Sequence, residues 1–223
     1  MRYLIIFCFL SQIALGQEDQ KHRLSQEGGK LELGLRSTLS AFGNHGFIST
    51  GVGGQFRLKF SHRLNSEWFA DYITTNLDGL GKRTDAHIGW AVMGYFLNYN
   101  PLPGTFMPYF MGGHCFDYTR IEKNIDGIDR LMYQAPKERW SSAVHTGIGS
   151  HYFFTERFNL SLSAQYMIHL GNKLEAQIIE DPLVSNQPYL FIKEGKAGLE
   201  GHLFLTLSAN LLVADLWSKA SKK

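Results

Sequence analysis

Residues 199–213 read LEGHLFLTLSANLLV, and apolar and polar side chains alternate along this stretch almost without interruption. The odd positions from Leu199 to Val213 are apolar or small, whereas most even positions, beginning with Glu200, are polar. A period of two over this length is typical of a β-strand with one apolar face. At about 3.4 Å per residue the strand would extend roughly 50 Å, longer than most strands of soluble domains.

Seven further segments show the same alternation, and no helical period separates them. For the segment 106–118 the sequence does not determine which side chains face inward, because Gly112 and Gly113 interrupt its alternation. Eight amphipathic strands in succession predict an all-β fold, an eight-stranded antiparallel up-and-down barrel. The segments are 30–38, 47–61, 68–75, 86–97, 106–118, 141–153 and 158–170.

The predicted connections alternate in length, with the odd-numbered ones longer than the even-numbered ones. Short periplasmic turns on one side and longer external loops on the other are typical of transmembrane barrels of the outer membrane. An even number of strands with both chain termini on the short-turn side fits the same arrangement. In order, the connections are 39–46, 62–66, 76–84, 98–105, 119–140, 154–157 and 171–198.

Alternation does not by itself say which face of the wall points outward. A soluble lipocalin-like barrel would enclose its apolar face around a ligand, and it is kept as an alternative. Few charges, of both signs, and several glycines on the polar face favour a crowded polar interior and an apolar outer surface. Those glycines are Gly34, Gly51, Gly53, Gly147 and Gly149. Aromatic residues beside the short turns predict an interfacial girdle: Phe60, Trp68, Phe96, Tyr99, Tyr109, Tyr152, Phe153, Phe154, Phe158 and Trp217.

The N-terminus has the features of a secretory signal peptide, predicted over residues 1–16. Arg2 is followed by an apolar core and by the small-x-small sequence Ala14-Leu15-Gly16. We expect residues 17–29 to form a polar tail, 30–214 the barrel and 215–223 a short basic periplasmic tail. Outside the signal peptide, no apolar run reaches the roughly 20 residues that a membrane helix requires, which leaves a closed barrel as the way to span a membrane.

Three turn-flanking segments carry a resemblance to a known family: KFSHRLNSEWFADY (59–72), YFLNYNPLPGTFMPYFMGGH (95–114) and SHYFFTERFNLSLSAQY (150–166). With their aromatic strand ends and a Pro-Tyr that opens a strand, they resemble OmpA-like outer-membrane β-barrel proteins of Bacteroidota. The resemblance implies an eight-stranded barrel with a periplasmic N-terminus in the outer membrane of a Gram-negative bacterium. It supplies no catalytic residues, and the basic tail after Trp217 departs from the aromatic ending of many such barrels.

Charged residues recur on the polar face of several predicted strands. We interpret them as an ion-pair network that fills and plugs the lumen, because an eight-stranded barrel is only wide enough for side chains or one small ligand. A gate or small pore is the alternative. The predicted lumen network comprises Glu32, Arg36, Arg57, Lys59, Asp71 and Glu200.

No catalytic residue, metal site or cofactor is predicted. His145 and His151 share a face, but six residues along a strand separate them by roughly 20 Å, which is too far for one ion. A lipid-modifying enzyme with a site at the outer rim is a further alternative, with Ser40, His45, Asp78 and Asp85 as its candidate residues. The formal charge of only +2 gives no basic field for nucleic acid.

The long loops 119–140 and 171–198 are the predicted sites of recognition, since loops on a rigid scaffold usually carry it. Two apolar runs in 171–198 would extend the last two strands as a hairpin or form a docking surface for a protein partner. That candidate surface consists of Ile178, Ile179, Tyr189, Phe191 and Ile192. The predicted function is structural or protein-interacting, within an envelope assembly and in contact with outer-membrane lipid and lipopolysaccharide.

Overall fold

The computed structural model describes residues 28–42, 48–98, 100–124, 135–180 and 188–217. These residues form eight strands that close into one antiparallel barrel, in which each strand pairs with its neighbours in sequence and β1 pairs with β8. The predicted fold class is therefore confirmed. The predicted signal peptide, residues 1–16, lies outside the described residues. The strands are β1 Lys30–Phe42, β2 Ile48–Lys59, β3 Leu64–Asn76, β4 Gly81–Tyr95, β5 Phe106–Lys123, β6 Lys137–Thr155, β7 Phe158–Ile179 and β8 Tyr189–Asp215.

The barrel wall turns its apolar face outward and its polar face inward. On β8, Leu205 and Leu207 are about half exposed, whereas Thr206 and Ser208 between them are buried in the interior. A soluble ligand-binding barrel has the opposite arrangement, with apolar side chains around its cavity. Among the described residues no helix is both long enough and apolar enough to cross a bilayer.

A Cβ atom at any of the glycines predicted to face the interior would lie less than 3 Å from a neighbouring atom. A Cβ atom at Gly53 would lie 2.2 Å from both the Ala70 carbonyl oxygen and an Asp71 carboxylate oxygen. At Gly149, a Cβ would lie 2.5 Å from the Tyr109 ring and hydroxyl. Any side chain at these positions would displace its neighbours, so the small residues allow the interior to be filled.

The prediction of a single aromatic girdle is wrong for two of its members. Tyr109 and Phe153 are each only 1% exposed and lie inside the barrel, where they pack with Met107 and Met111. Successive side chains of a strand point to opposite faces, so the run Tyr152-Phe153-Phe154 cannot face outward throughout. The inward positions of Met107, Tyr109 and Met111 also settle the direction of the 106–118 segment. Tyr99 lies outside the described residues.

The predicted alternation of connection length is wrong at the third and fourth connections. β3 and β4 are joined by the tight turn Leu77–Leu80, in which Asp78 and Gly79 have φ angles of 52° and 77°. Two consecutive positive φ values are the signature of a type I′ hairpin turn. The pairing continues through polar residues beyond the predicted strand ends, as in Asn76 with Lys82, which shortens this connection below the fourth.

The last two strands remain paired with each other beyond the point where β7 separates from β6. Hydrogen-bonded pairing between β6 and β7 ends at Ser142 with Leu170, whereas β7 and β8 remain paired as far as Ile179 with Tyr189. Residues 171–180 and 188–198 thus form an extension that we call the capping hairpin. The predicted seventh loop is largely this hairpin, the first of the two structures considered for it.

The capping hairpin leans over the barrel mouth and packs against the opposite wall. Its inner side chains contact Leu77 in the β3–β4 turn and Ile121 near the end of β5. A Cβ at Gly81 would lie 2.6 Å from Leu190 Cδ2, which shows how closely the hairpin approaches β4. We call the buried group the cap cluster; it comprises Leu77, Ile121, Leu174, Ala176, Leu190 and Ile192.

Candidate functional site

Charged side chains inside the barrel form two separate groups. The first, which we call the inner cluster, centres on Glu67, whose carboxylate lies between two guanidinium groups. Arg57 Nε donates to Glu67 Oε2 at 2.6 Å, and Arg36 Nη1 donates to Oε1 at 2.8 Å. Arg36 Nε also lies 3.0 Å from Asp71 Oδ1, and Arg57 Nη1 lies 3.9 Å from Glu32 Oε2. These side chains are buried or nearly so, so each charge depends on its partners rather than on water.

Neutral polar side chains from the facing wall complete the inner cluster. Arg57 Nη1 donates to Ser161 Oγ on β7 at 2.9 Å, and Ser161 in turn contacts His151 Nδ1 at 2.6 Å. Gln55 Nε2 donates to Asn210 Oδ1 on β8 at 2.5 Å. The arginines are therefore held by hydrogen bonds that cross the interior from one wall to the other.

Four of the six residues predicted for the lumen network lie together in this cluster: Glu32, Arg36, Arg57 and Asp71. Lys59 is buried on the same face of β2. Glu200 lies elsewhere, in the second group. Glu67, the central residue, was missed because the predicted strand began at Trp68, although Glu67 continues the alternation of Phe69 and Asp71.

The second group, which we call the upper cluster, lies toward the capping hairpin. Arg83 contacts Asp85 at 3.0 Å and Glu200 at 3.3 Å. Arg139 contacts Glu200 at 3.0 Å and Asp117 at 3.2 Å. The ionic side chains of four strands, β4, β5, β6 and β8, are linked in this way.

Three charged residues of the upper cluster were not placed on predicted strands, because the strands are longer than their apolar alternation indicates. The predicted segments began at Ala86 and Ser141, so that Arg83 and Arg139 were assigned to connections and Asp85 to neither a strand nor a connection. A usable signal was nevertheless present. Arg83, Asp85 and His87 occupy every second position and therefore share one face of a strand. Charged residues at a period of two predict that the strand continues beyond its apolar part.

Three histidines complete the upper cluster. His87 Nε2 lies 3.0 Å from Asp117 Oδ1, and His169 Nδ1 lies 2.9 Å from Asp117 Oδ2. The His202 ring lies 4.4 Å from the His169 ring, centroid to centroid, and its Nε2 lies 3.3 Å from Glu200 Oε1. All three imidazoles are buried. They come from β4, β7 and β8, so a search for spacing along single strands could not bring them together.

The two histidines considered in the sequence have separate surroundings. His151 contacts the Tyr95 hydroxyl at 3.1 Å through Nε2. His145 packs edge-on against the Phe69 ring at 5.5 Å. An apolar layer lies between the two charged clusters over most of the interior, although Asp71 and His87 are opposite each other on β3 and β4. The layer comprises Phe69, Ile73, Cys115, Ala143, Met167 and Phe204.

The five residues of the candidate docking surface do not form one exposed patch. Ile192 is only 6% exposed and Ile178 packs against the cap cluster, because alternate residues of the capping hairpin point toward the barrel mouth. Phe191 is 36% exposed on the outer side, and Ile179 and Tyr189 are partly buried. The apolar surface expected at this position is therefore reduced mainly to Phe191.

The first long loop is likewise shorter than predicted, since β5 extends to Lys123 and β6 begins at Lys137; residues 125–134 lie outside the described residues.

The candidates for a rim enzyme have different surroundings. Ser40 is buried in the wall, and Asp85 is paired with Arg83. Asp78 lies in the β3–β4 turn, and His45 lies outside the described residues.

No protein-family model matches the sequence. No curated protein matches it either. Among solved structures, the chain is similar to the outer membrane protein OprG from Pseudomonas aeruginosa, with 14% identity and a TM-score of 0.50 over 84% of this chain and 98% of OprG. It is also similar to Neisserial surface protein A (12%, TM-score 0.48, over 82% and 96% of the two chains) and to the N-terminal barrel of Pseudomonas aeruginosa OprF (15%, 0.45, 83% and 100%). At this identity, the likeness to OprG supports the fold alone.

Proposed function

We propose that this protein is an outer-membrane β-barrel of a Gram-negative bacterium, with a plugged lumen and a structural or protein-interaction role. The observation that carries the proposal is the reversed polarity of the wall, which is apolar outside and ionic inside. On β8 the outward apolar face from Leu203 to Val213 covers about 34 Å of strand. With a tilt near 40°, its height is about 26 Å, close to the apolar band of about 25 Å in such barrels.

This proposal includes lipid and lipopolysaccharide as the surroundings of the outer face, and removal of residues 1–16 on export. It is tested by fractionating native membranes and sequencing the N-terminus of the mature protein. We expect the protein in the outer-membrane fraction, a mature start at Gln17, and heat-modifiable migration on gels. A full-length protein that is monodisperse without detergent would contradict the proposal.

The plugged lumen is supported by the side chains that occupy the interior at every level. The cap cluster lies over the upper cluster, the apolar layer lies below it, and the inner cluster follows. A continuous water path would need these buried ion pairs to separate, which is costly in a low-dielectric interior. Planar-bilayer recordings of the purified protein should therefore show no conductance steps. Regular steps that scale with salt concentration would contradict the plug and favour the small pore.

The proposed interaction role concerns the capping hairpin and the predicted recognition loop 119–140. Among the described side chains of the hairpin, Phe191 is the large apolar one that is exposed on the outer side, and the pairing of β7 with β8 places it beyond the apolar belt. A photo-crosslinking amino acid at position 191 should capture a protein partner in native membranes. The same group at Leu205, on the outer face of the wall, serves as the control. Identical crosslinking patterns at both positions would count against a partner at the hairpin.

A further inference from the structure

The upper cluster contains a group of ring nitrogens and a carboxylate oxygen without a hydrogen-bond partner of acceptable geometry among the described residues. His87, Asp117 and His169 each offer a potential ligand atom, and these atoms all lie within 4.8 Å of one another. The three residues are buried and come from β4, β5 and β7. Two imidazole nitrogens and a carboxylate oxygen at this separation are typical of a transition-metal site.

The angles within the group differ from those of ordinary hydrogen bonds. His87 Nε2 and Asp117 Oδ1 are 3.0 Å apart, yet neither atom has a hydrogen-bond partner of acceptable geometry among the described residues. The same holds for both ring nitrogens of His169. The ligands of a shared metal ion approach one another closely without hydrogen-bond geometry, because their lone pairs point at the ion and not at one another. With Zn–N and Zn–O distances of about 2.0–2.2 Å, tetrahedral ligand atoms lie roughly 3.3 Å apart.

The carboxylate of Asp117 is already oriented by a surrounding shell. Its Oδ2 accepts hydrogen bonds from Ser141 Oγ at 3.0 Å and Arg139 Nη2 at 3.2 Å, and Thr119 Oγ1, which donates to Asp85 Oδ1 at 2.8 Å, lies 3.3 Å from it. These contacts fix the carboxylate plane and leave Oδ1 directed at His87. Such outer partners are a regular part of metal sites, where they set the orientation of the ligands.

The charge of the upper cluster also suits a cation. Its ionic side chains are three carboxylates, from Asp85, Asp117 and Glu200, and two guanidiniums, from Arg83 and Arg139. With neutral imidazoles, which metal binding requires, these groups carry one net negative charge. A dication would thus be bound by a cluster of opposite charge.

We propose that His87, Asp117 and His169 form a zinc-binding site inside the upper part of the barrel, with His202 or a water molecule as the fourth ligand. Imidazole and carboxylate ligands suit Zn²⁺, whereas Ca²⁺ and Mg²⁺ prefer sites built of oxygen alone. The ion would join β4 and β5 to β7 on the facing wall, directly beneath the capping hairpin. The site depends on the interior geometry and is independent of the proposed role at the membrane.

The test uses the full chain without an affinity tag, folded in detergent in the presence of Zn²⁺ and freed of excess metal by gel filtration. We expect one zinc per wild-type barrel by elemental analysis, and a visible d–d spectrum when Co²⁺ replaces Zn²⁺. His169→Gln and Asp117→Asn should lose the stoichiometric zinc. His145→Gln, which alters a buried imidazole beside Phe69 and outside the site, should retain it.

Affinity measured by competition with a chromogenic chelator sharpens the assignment. We expect His169→Gln to bind zinc at least about tenfold more weakly, since loss of even an outer-shell partner costs that much. The heat-modifiable gel shift establishes that each variant is folded, and His87→Gln replaces Asp117→Asn if the latter does not fold. Wild-type protein without bound zinc, or His169→Gln that retains full zinc, would overturn the proposal.

Discussion

The two charged clusters bury a similar number of ionic groups, but they are built on different chemistry. In the inner cluster, two arginines are fixed on Glu67 by short, directed hydrogen bonds of 2.6 and 2.8 Å. In the upper cluster, three imidazoles surround Asp117 and Glu200, at distances of 2.9 to 3.3 Å. A guanidinium is always charged and must keep its partner, whereas an imidazole can also be neutral or bind a metal. Because Arg83 and Arg139 are paired with carboxylates in the upper cluster as well, its distinguishing feature is the three imidazoles, and we expect it to be the more adaptable of the two clusters.

The largest effect is expected from removing the centre of the inner cluster. Glu67→Ala leaves Arg57 and Arg36 without their closest carboxylate, and breaking a buried ion pair costs about 3–5 kcal/mol. Reversible urea unfolding in detergent or lipid, followed by tryptophan fluorescence, measures the change. Glu138→Ala removes an exposed carboxylate and serves as the control. A loss for Glu67→Ala no larger than that of the control would mean that the arginines find water or other partners inside the barrel.

A smaller and more local effect is expected above the upper cluster. Leu190→Ala leaves a cavity in the cap cluster, where Leu190 is almost completely buried. Such truncations lower the free energy of unfolding by about 2–5 kcal/mol in a well-packed core. We expect a value near the lower limit, because the hairpin can relax around the cavity. We expect faster hydrogen exchange and proteolysis within 171–198 while the wall below stays protected.

Phe191→Ala, the adjacent position on the outer side, is the matched control and should change little. Equal acceleration of exchange by Phe191→Ala and Leu190→Ala would mean that the hairpin does not depend on its contacts with Leu77 and Ile121. The upper cluster would then be reached by water more readily than the cap cluster implies.

The same contrast explains what the sequence could predict. The wall follows from a period of two, which any one strand displays, so Leu205, Ser208 and their neighbours predict the fold. The choice of the inner face depended in addition on the glycines and the charges of both signs on the polar face. Glu32, Arg36, Arg57 and Asp71 could be grouped because they lie on β1, β2 and β3, which are adjacent in sequence. Their exact partners could not, since strand register is set by long-range pairing.

The upper cluster could not be assembled from sequence because it depends on closure of the barrel. His87 and His169 lie on strands β4 and β7, which are not paired with each other, and only the circular arrangement makes them face one another. For the capping hairpin, the sequence identified the apolar residues but not the surface that covers them. Ile178 and Ile192 were correctly recognised as apolar, but the surface that buries them comes from Leu77 and Ile121, far away in the chain.

A moderate effect is expected for the upper cluster itself when no metal is present. His87→Gln removes an imidazole that contacts Asp117 but leaves Arg139 as the cationic partner of that carboxylate. We expect a loss in EDTA of no more than about 0.5–1.5 kcal/mol, the usual net contribution of one hydrogen bond, because His87 Nε2 and Asp117 Oδ1 lack hydrogen-bond geometry. Unfolding by urea under the conditions used for Glu67→Ala gives the comparison. A loss as large as that of Glu67→Ala would contradict the view that the upper cluster is the more adaptable of the two.

The smallest effect is expected for a solvent-exposed ion pair between β6 and the capping hairpin. Lys137 Nζ and Glu194 Oε1 are 2.9 Å apart, but their side chains are 45% and 62% exposed. Water and salt screen such a pair, and its coupling energy is typically about 0.2–1 kcal/mol. A double-mutant cycle of Lys137→Ala and Glu194→Ala should give a value in that range that falls further at about 1 M salt. A coupling as strong as that of a buried pair would mean that this ion pair, as well as the cap cluster, holds the hairpin against β6.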